Sequence, residues 1–170
     1  MRFGLIALLW LAVAACAAGV RTDSGLAASR TAGDFSLRDL AGRRVRLSQF
    51  EDRVVLLAFW ATWCDPCQNE LPQLGAIWNR NRARGFEVLA INVDPPDAEN
   101  AVREVAGRLR LAFPVLLDSS GDVVNRFNPR LELPYSVLIA RGGRVHSTHQ
   151  GYVSGDEQIL EEEIRALLGD

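Results

Sequence analysis

The sequence predicts a single α/β domain with a central sheet and helices on both of its faces. The chain has 170 residues, a length that fits one domain with a short extension. Two nearly continuous apolar runs, 53–60 (RVVLLAFW) and 86–93 (FEVLAINV), are typical of strands buried on both faces of a parallel sheet. Segments with helical patterns follow them at 64–84 and 97–109, and this alternation indicates an α/β sheet.

Shorter elements complete the predicted domain. They are an N-terminal β-hairpin (35–37 and 45–47), a short strand (113–117), a helical turn (121–127), an antiparallel hairpin (135–140 and 144–147) and a closing helix. Ser154 and Glu157 have the spacing of a capping box, which places the start of that helix just after Ser154.

Composition and charge exclude several classes of function. The formal net charge is −2 and the pI is about 5.7, so we expect no nucleic-acid partner. All 19 basic residues are arginine, which excludes Schiff-base chemistry and phosphate-binding loops that require lysine. Three cysteines are too few for a disulfide-scaffold protein, so a cysteine function must be local and chemical.

The N-terminal segment is predicted to direct export. Residues 3–20 are uncharged, but their strongly apolar part is too short to be a good membrane span. The sequence VAAC, which ends at Cys16, resembles a bacterial lipobox, so we predict a signal peptide at 1–15 and a lipidated Cys16 as the first mature residue. Plain secretory cleavage and an uncleaved anchor remain alternatives. All three place the domain outside the cytoplasm, where conditions are oxidising.

The next segment is predicted to separate this anchor from the domain. Residues 16–32 are small and polar and show no periodicity, so they are interpreted as a flexible tether. The folded domain is predicted at 33–170, and we expect it to be a monomer.

Cys64 and Cys67 are the candidate catalytic residues. They lie where a buried strand passes into a helix, and the partial positive charge at a helix N-terminus stabilises a thiolate on Cys64. The spacing places Cys67 one turn later on the same face, close enough to form a disulfide. Pro66 suits the first helical turn because its missing N–H is not needed there. A thiolate of this kind can attack a disulfide, and its neighbour can resolve the mixed disulfide.

Two other interpretations of this pair are weaker. A structural disulfide across two intervening residues would constrain the chain very little. A zinc site would need further ligands, and His146 and His149 lie on or beside a predicted strand with a spacing that points them to opposite faces. We therefore expect no metal or other cofactor, and we expect both histidines to be exposed strand residues.

The motif and its surroundings resemble the TlpA/ResA branch of the thioredoxin-like proteins, of the AhpC/TSA-redoxin type. The resemblance covers residues 33 to about 168 and rests on FWATWCDPC at 59–67 with Glu70 and Pro72, on DFSL at 34–37, on LSQF at 47–50 and on Leu133-Pro134. It implies a thioredoxin fold with a mixed central sheet and an added N-terminal hairpin. It also implies membrane-tethered thiol–disulfide exchange, often in cytochrome c maturation, with protein thiols as substrates and a membrane reductase as electron donor.

The resemblance also assigns the residues around the two cysteines. Leu133 and Pro134 correspond to a cis-proline loop that faces the active site, where Trp63, Asp65 and Pro66 would complete the wall and the substrate groove. The alternative for Trp63 is a place in the core. Asp65 adds a negative charge beside Cys64, which opposes the thiolate and favours a reductant.

Two positions depart from the family pattern. The aspartate that thioredoxins bury on the strand before the motif corresponds here to Ala58. Some relatives use an acid after the next strand instead, and Asp94 lies one residue before that position. Asp94 is therefore a candidate proton acceptor near Cys67, and its alternative is an ordinary loop aspartate. A thiol peroxidase and a copper(I)-binding chaperone remain alternative functions of the motif.

Overall fold

The structure is a computed structural model that describes residues 31–169, so the predicted signal peptide, most of the tether and Cys16 lie outside the described residues. The strands are β1 (Ser36–Asp39), β2 (Arg44–Arg46), β3 (Val54–Trp60), β4 (Phe86–Asn92), β5 (Val115–Leu117), β6 (Tyr135–Ala140) and β7 (Arg144–Gln150). The α-helices are α1 (Asp65–Asn81), α2 (Glu99–Arg108), α3 (Asp122–Phe127) and α4 (Asp156–Leu168). Short 3₁₀ turns follow β2 and α1 and precede α2.

The seven strands form one mixed sheet in the order β2-β1-β5-β4-β3-β6-β7. Strand β3 lies inside this sheet, parallel to β4 and antiparallel to β6. All seven residues of β3 and all seven of β4 are buried, as their continuous apolar runs predict. The predicted mixed sheet, flanking helices and N-terminal β1–β2 hairpin are confirmed.

Alternate residues of β3 face two separate cores. Val54, Leu56, Ala58 and Trp60 pack with α1, α2 and α4 on one face of the sheet. Val55, Leu57 and Phe59 pack with α3 and with the chain segment before β1 on the other face. Both cysteines belong to the first core, so the N-terminus of α1 is held against the end of β3 by apolar burial.

The fold begins earlier than the predicted tether boundary. Thr31 pairs with Arg144 at the start of β7, and the Ala32 N–H donates to Gly143 O at 2.9 Å. Ala32 is also buried in the second core. A short alanine-rich segment gives no periodic signal, so composition alone could not assign these two residues to the domain. Within residues 31–169, no helix has the length and apolar character needed to cross a membrane.

The predicted capping box at the closing helix is wrong. Gly155, in the left-handed region at φ 112°, occupies the N-cap position of α4, and no side chain caps the helix there. The carboxylates of Asp156 and Glu157 instead accept from the N–H groups of Val153 and Gly155. The helix starts later than the Ser154 pattern requires because a glycine is available for the turn.

Candidate active site

Cys64 lies at the junction between β3 and α1. It is the N-cap residue of α1, and its Sγ accepts from the Cys67 N–H at 3.2 Å. Asp65 and Pro66 occupy the first helical turn, as the motif predicts. The Cys64 N–H donates to Ala61 O at 3.2 Å and closes a turn that joins the strand to the helix. A thiolate at Cys64 would therefore meet both a backbone N–H and the positive end of the helix dipole.

The two cysteines form a disulfide with a Cα–Cα distance of 5.3 Å. Cys64 retains 5% of its surface, whereas Cys67 is completely buried. Cys64 is therefore the more accessible of the two cysteines to an external disulfide. This difference in access favours Cys64 as the attacking thiol and Cys67 as the resolving thiol.

The other predicted wall residues lie around this junction. Trp63 is 67% exposed, so its side chain does not belong to the core, and Asp65 and Pro66 are also exposed. The Leu133–Pro134 peptide bond is cis. Leu133 packs against the core cluster that contains both cysteines, and Pro134 is buried just before β6.

Glu70 supplies a buried carboxyl group on the same helix as the cysteines. It lies three residues after Cys67, hence on the same face of α1, and it is 8% exposed. Burial, and to a lesser extent the negative charge of Asp156, raises the pKa of Glu70 from 4.5 to about 7. Ala58 on β3 belongs to the core beside the cysteines and carries no polar group, and Glu70 is the one acidic residue that α1 buries.

A cavity of about 350 Å³ lies beside Glu70, between α1, α4 and the end of β7. Its lining includes Glu70, Leu74, Ser136, His149, Tyr152 and Leu160. The Ser136 hydroxyl is buried and has no hydrogen-bond partner within the described chain. Ser136 pairs with Ala58 across the sheet, so this polar group lies above the strand that leads to Cys64.

Asp94 is buried at the end of β4, and its contacts are with the loop before Cys64. Its carboxylate accepts from the Thr62 N–H at 2.7 Å, from Thr62 Oγ1 at 3.0 Å and from Asn92 Nδ2 at 2.7 Å. Asp94 is therefore more than a solvated loop aspartate. Its hydrogen bonds connect β4 to the turn that carries Trp63 and Cys64.

The two histidines differ from each other. His146 is exposed, as predicted, at a bulge in the β6–β7 pairing. His149 is half-buried, and its Nε2 lies 3.2 Å from both Ser147 Oγ and Glu163 Oε2, so the prediction of an exposed side chain is wrong for this residue. His149 is partly covered because Glu163 of α4 lies against this end of β7. Across residues 31–169, no group of three or more His, Cys, Asp and Glu side chains is arranged to hold a metal ion.

Comparison with known proteins identifies the family. The model of the AhpC/TSA family matches residues 28–148. The chain belongs to this family. Over 134 residues it is 35% identical to the thiol-disulfide oxidoreductase ResA of Geobacillus kaustophilus, covering 79% of this chain and 75% of that protein. Over 141 residues it is 33% identical to ResA of Halalkalibacterium halodurans, covering 82% and 77%.

A solved structure agrees with this assignment. The crystal structure of a putative thiol:disulfide interchange protein DsbE from Chlorobium tepidum superposes with a TM-score of 0.77 and 33% identity. It covers 84% of this chain and 98% of that one. The AhpC/TSA protein described here is thus a ResA-like, thioredoxin-family thiol–disulfide oxidoreductase, and the disulfide between Cys64 and Cys67 is its CxxC pair.

Sequence reasoning missed the environment of Glu70, which it used only as part of the family motif. A signal was present, because Cys67, Glu70, Leu71 and Leu74 follow the helical spacing of a buried face. A glutamate on such a face, one turn from a cysteine, indicates a carboxyl group in the core. The negative charge of Asp156 also raises the pKa of Glu70. Asp156 is distant in the sequence, so no local pattern indicates that the two acids are close.

Proposed function

We propose that this oxidoreductase is tethered to the outer side of a bacterial membrane, where it reduces disulfides of exported proteins. The observation that carries the proposal is the Cys64–Cys67 pair at the N-terminus of α1, next to the exposed Trp63 and Asp65 side chains. Cytochrome c maturation is the proposed setting, since it needs reduced cysteines in an oxidising compartment. A membrane thiol–disulfide reductase would return the electrons.

The reaction begins with the reduced protein. The Cys64 thiolate attacks one sulfur of the substrate disulfide, the substrate S–S bond breaks, and the released substrate thiolate takes up a proton. The Cys67 thiol then loses its proton and attacks Cys64 Sγ in the mixed disulfide. The Cys64–Cys67 disulfide forms, and the second substrate sulfur leaves as a thiolate and is protonated. The substrate gains two electrons from the protein and two protons, of which one replaces the proton lost by Cys67 and the other comes from water.

Glu70 is the proposed acceptor of the Cys67 proton. Cys67 is completely buried, so water cannot reach its thiol freely. Glu70 lies one turn away on the same helix face, and its pKa of about 7 allows it to accept and release a proton near neutral pH. The adjacent cavity with the unpartnered Ser136 hydroxyl can hold water that carries the proton outward.

The surface around Cys64 supports a protein substrate. Trp63, Leu131 and Val153 are large apolar side chains that are exposed, and they belong to loops at the end of β3, before Pro134 and after β7. The Gly151 N–H donates to Pro134 O at 2.8 Å, which brings the last two of these loops together. An extended substrate segment can pack on these side chains and pair with the backbone beside Pro134.

The direction of electron flow is testable through Asp65. Its exposed carboxylate lies in the first turn of α1 and opposes a thiolate on Cys64, so we expect a reduction potential nearer to about −270 mV, as in thioredoxin, than to about −120 mV, as in DsbA. Asp65→His should raise the potential by tens of millivolts, and added salt should reduce that difference. Equilibration in glutathione buffers measures both potentials.

Asp52→His is a matched control for this experiment. Asp52 is also exposed, but it precedes the opposite end of β3, roughly 20 Å from Cys64 for a strand of this length. Its substitution should leave the potential unchanged. A parent potential above about −180 mV, the level of protein disulfide isomerase, would contradict the reductant proposal and favour an oxidase or isomerase.

The tether is tested separately from the chemistry. If Cys16 is lipidated, the parent protein should remain in the membrane fraction after a high-salt wash, because two or more acyl chains hold a protein firmly. Cys16→Ser should move it to the soluble fraction without changing its reduction potential. Identical partition of the two proteins would contradict the lipid anchor and leave the oxidoreductase assignment intact.

A further inference from the structure

Thr62, two residues before Cys64, has all of its polar groups held by side chains from elsewhere in the fold. Asp94 accepts from its N–H at 2.7 Å and from its hydroxyl at 3.0 Å. Gln68 Nε2, in the first turns of α1, donates to its carbonyl oxygen at 2.7 Å. The N–H, the hydroxyl group and the carbonyl oxygen of Thr62 are thus each fixed by a side chain, which constrains the position of this residue.

The two side chains that hold Thr62 are themselves held. Asn92 Nδ2 donates to Asp94 at 2.7 Å, and Asn92 Oδ1 accepts from the Asp94 N–H at 3.2 Å. Arg108, at the end of α2, donates to Gln68 Oε1 at 2.7 Å. We call Asp94, Gln68, Asn92 and Arg108 the Thr62 clamp. It joins β4, α1 and α2 to a single residue of the loop between β3 and α1.

We propose that the Thr62 clamp is the positioning device of this active site, which keeps Cys64 Sγ against the N-terminal N–H groups of α1. The turn closed by the Cys64 N–H and Ala61 O contains Thr62, so fixing Thr62 fixes the path of the chain into Cys64. The reach of Cys64 Sγ to the Cys67 N–H, 3.2 Å, depends on that path. The clamp would hold Cys64 in the same position whichever way the electrons flow.

In this arrangement Asp94 is a positioning residue that acts through Thr62. Both of its carboxylate oxygens are occupied by Thr62 and Asn92 donors, and it is 3% exposed. The hydrogen bonds to this carboxylate come from Thr62 and Asn92, and neither residue carries a thiol. Asp94 therefore holds the loop, and the proton-acceptor role that the sequence allowed for it is the one proposed above for Glu70.

The test measures the pKa of Cys64 in the reduced full-length protein, from the pH dependence of its alkylation by iodoacetamide. Thr62→Val removes the hydroxyl group but no charge, and Asp94→Asn removes the charge and places an amide N–H among donors. Each variant should raise the pKa of Cys64 by about one half to one unit, which is a three- to tenfold loss of alkylation rate below that pKa. Because the two residues act as a unit, the double variant should raise the pKa of Cys64 little further than either single variant does.

Two further variants keep the result interpretable. Thr62→Ser retains the hydroxyl and should restore the parent pKa. Asp39→Asn is the matched control, because Asp39 is a buried aspartate whose carboxylate, like that of Asp94, accepts three hydrogen bonds; in the distant β1–β2 turn they come from the Ala41 N–H, the Arg43 N–H and the Arg43 side chain. It should lower the melting temperature but leave the Cys64 pKa unchanged.

Two outcomes would overturn the proposal. If Asp94 acts on the thiolate only through its charge, Asp94→Asn will lower the Cys64 pKa and Thr62→Val will not change it. If the clamp serves only folding, Thr62→Val and Asp94→Asn will reduce the melting temperature, as Asp39→Asn does, without any shift in the Cys64 pKa.

Discussion

A Cys64→Ser variant is expected to reduce insulin disulfides no faster than buffer containing dithiothreitol alone. The serine hydroxyl is not ionised near neutral pH and cannot attack a disulfide sulfur, so the whole catalysed rate is lost. Cys67→Ser should lose turnover as well, but for a different reason, because Cys64 can still attack and the mixed disulfide then lacks its internal resolving thiol. Turbidity from precipitated insulin chains measures the rate of reduction by the parent protein and by both variants.

Cys16→Ser provides the control for these two variants. Cys16 lies outside residues 31–169, and its predicted role is lipidation, so this substitution should leave the rate of insulin reduction unchanged. Catalysis by the Cys64→Ser variant at the parent rate would contradict the assignment of Cys64 as the nucleophile.

Glu70→Gln is expected to stabilise the folded protein at alkaline pH by up to about 3 kcal/mol and to have little effect at pH 4. The pKa of Glu70 is raised from 4.5 to about 7 by folding, chiefly through burial. Below pH 4.5 the carboxyl group is protonated in both states. Between the two pKa values the unfolded chain releases its proton while the folded protein retains it, so the free energy of unfolding falls as the pH rises and becomes level above about pH 7.

Denaturant unfolding of the oxidised protein at pH 4 and pH 8 measures this effect, because neither cysteine titrates while the disulfide is intact. The glutamine variant should lack the part of the pH dependence that Glu70 causes. Glu162→Gln is the control, since Glu162 is an exposed acid on α4, and it should retain the parent difference between the two pH values. Equal stability of Glu70→Gln and the parent at pH 8 would show that the folded protein holds an ionised Glu70 without cost.

The parts of the fold that sequence predicts well are those governed by burial of local apolar patterns. Strands β3 and β4 appear within a residue of their predicted ends because every side chain in them is apolar or buried. The closing hairpin is less accurate: β7 continues to Gln150, beyond the predicted end at 147, because pairing with β6 supports it across a bulge. The predicted capping box is wrong because Gly155 adopts a left-handed conformation and takes the N-cap position that the pattern gives to Ser154.

The cysteine chemistry could be predicted because it depends on local spacing, and Cys64 and Cys67 are only three residues apart. The surroundings of the pair depend on contacts between distant parts of the chain. Asp94 meets Thr62 across a sequence separation of 32, and Glu70 is affected by Asp156 from the start of α4. No pattern within a single segment indicates such contacts. The sequence could therefore identify Asp94 as a candidate site residue but could not show which groups it binds.

The residue at which a substrate disulfide is captured identifies the attacking thiol directly. A Cys16→Ser, Cys67→Ser double variant retains Cys64 as its only cysteine and can be mixed, in reduced form, with a peptide that contains one disulfide. Mass spectrometry of the intact product and of its proteolytic fragments should find one peptide joined to Cys64, with release of the peptide when dithiothreitol is added. If the double variant is folded and still keeps a free Cys64 thiol in the presence of excess peptide disulfide, Cys64 is not the attacking thiol.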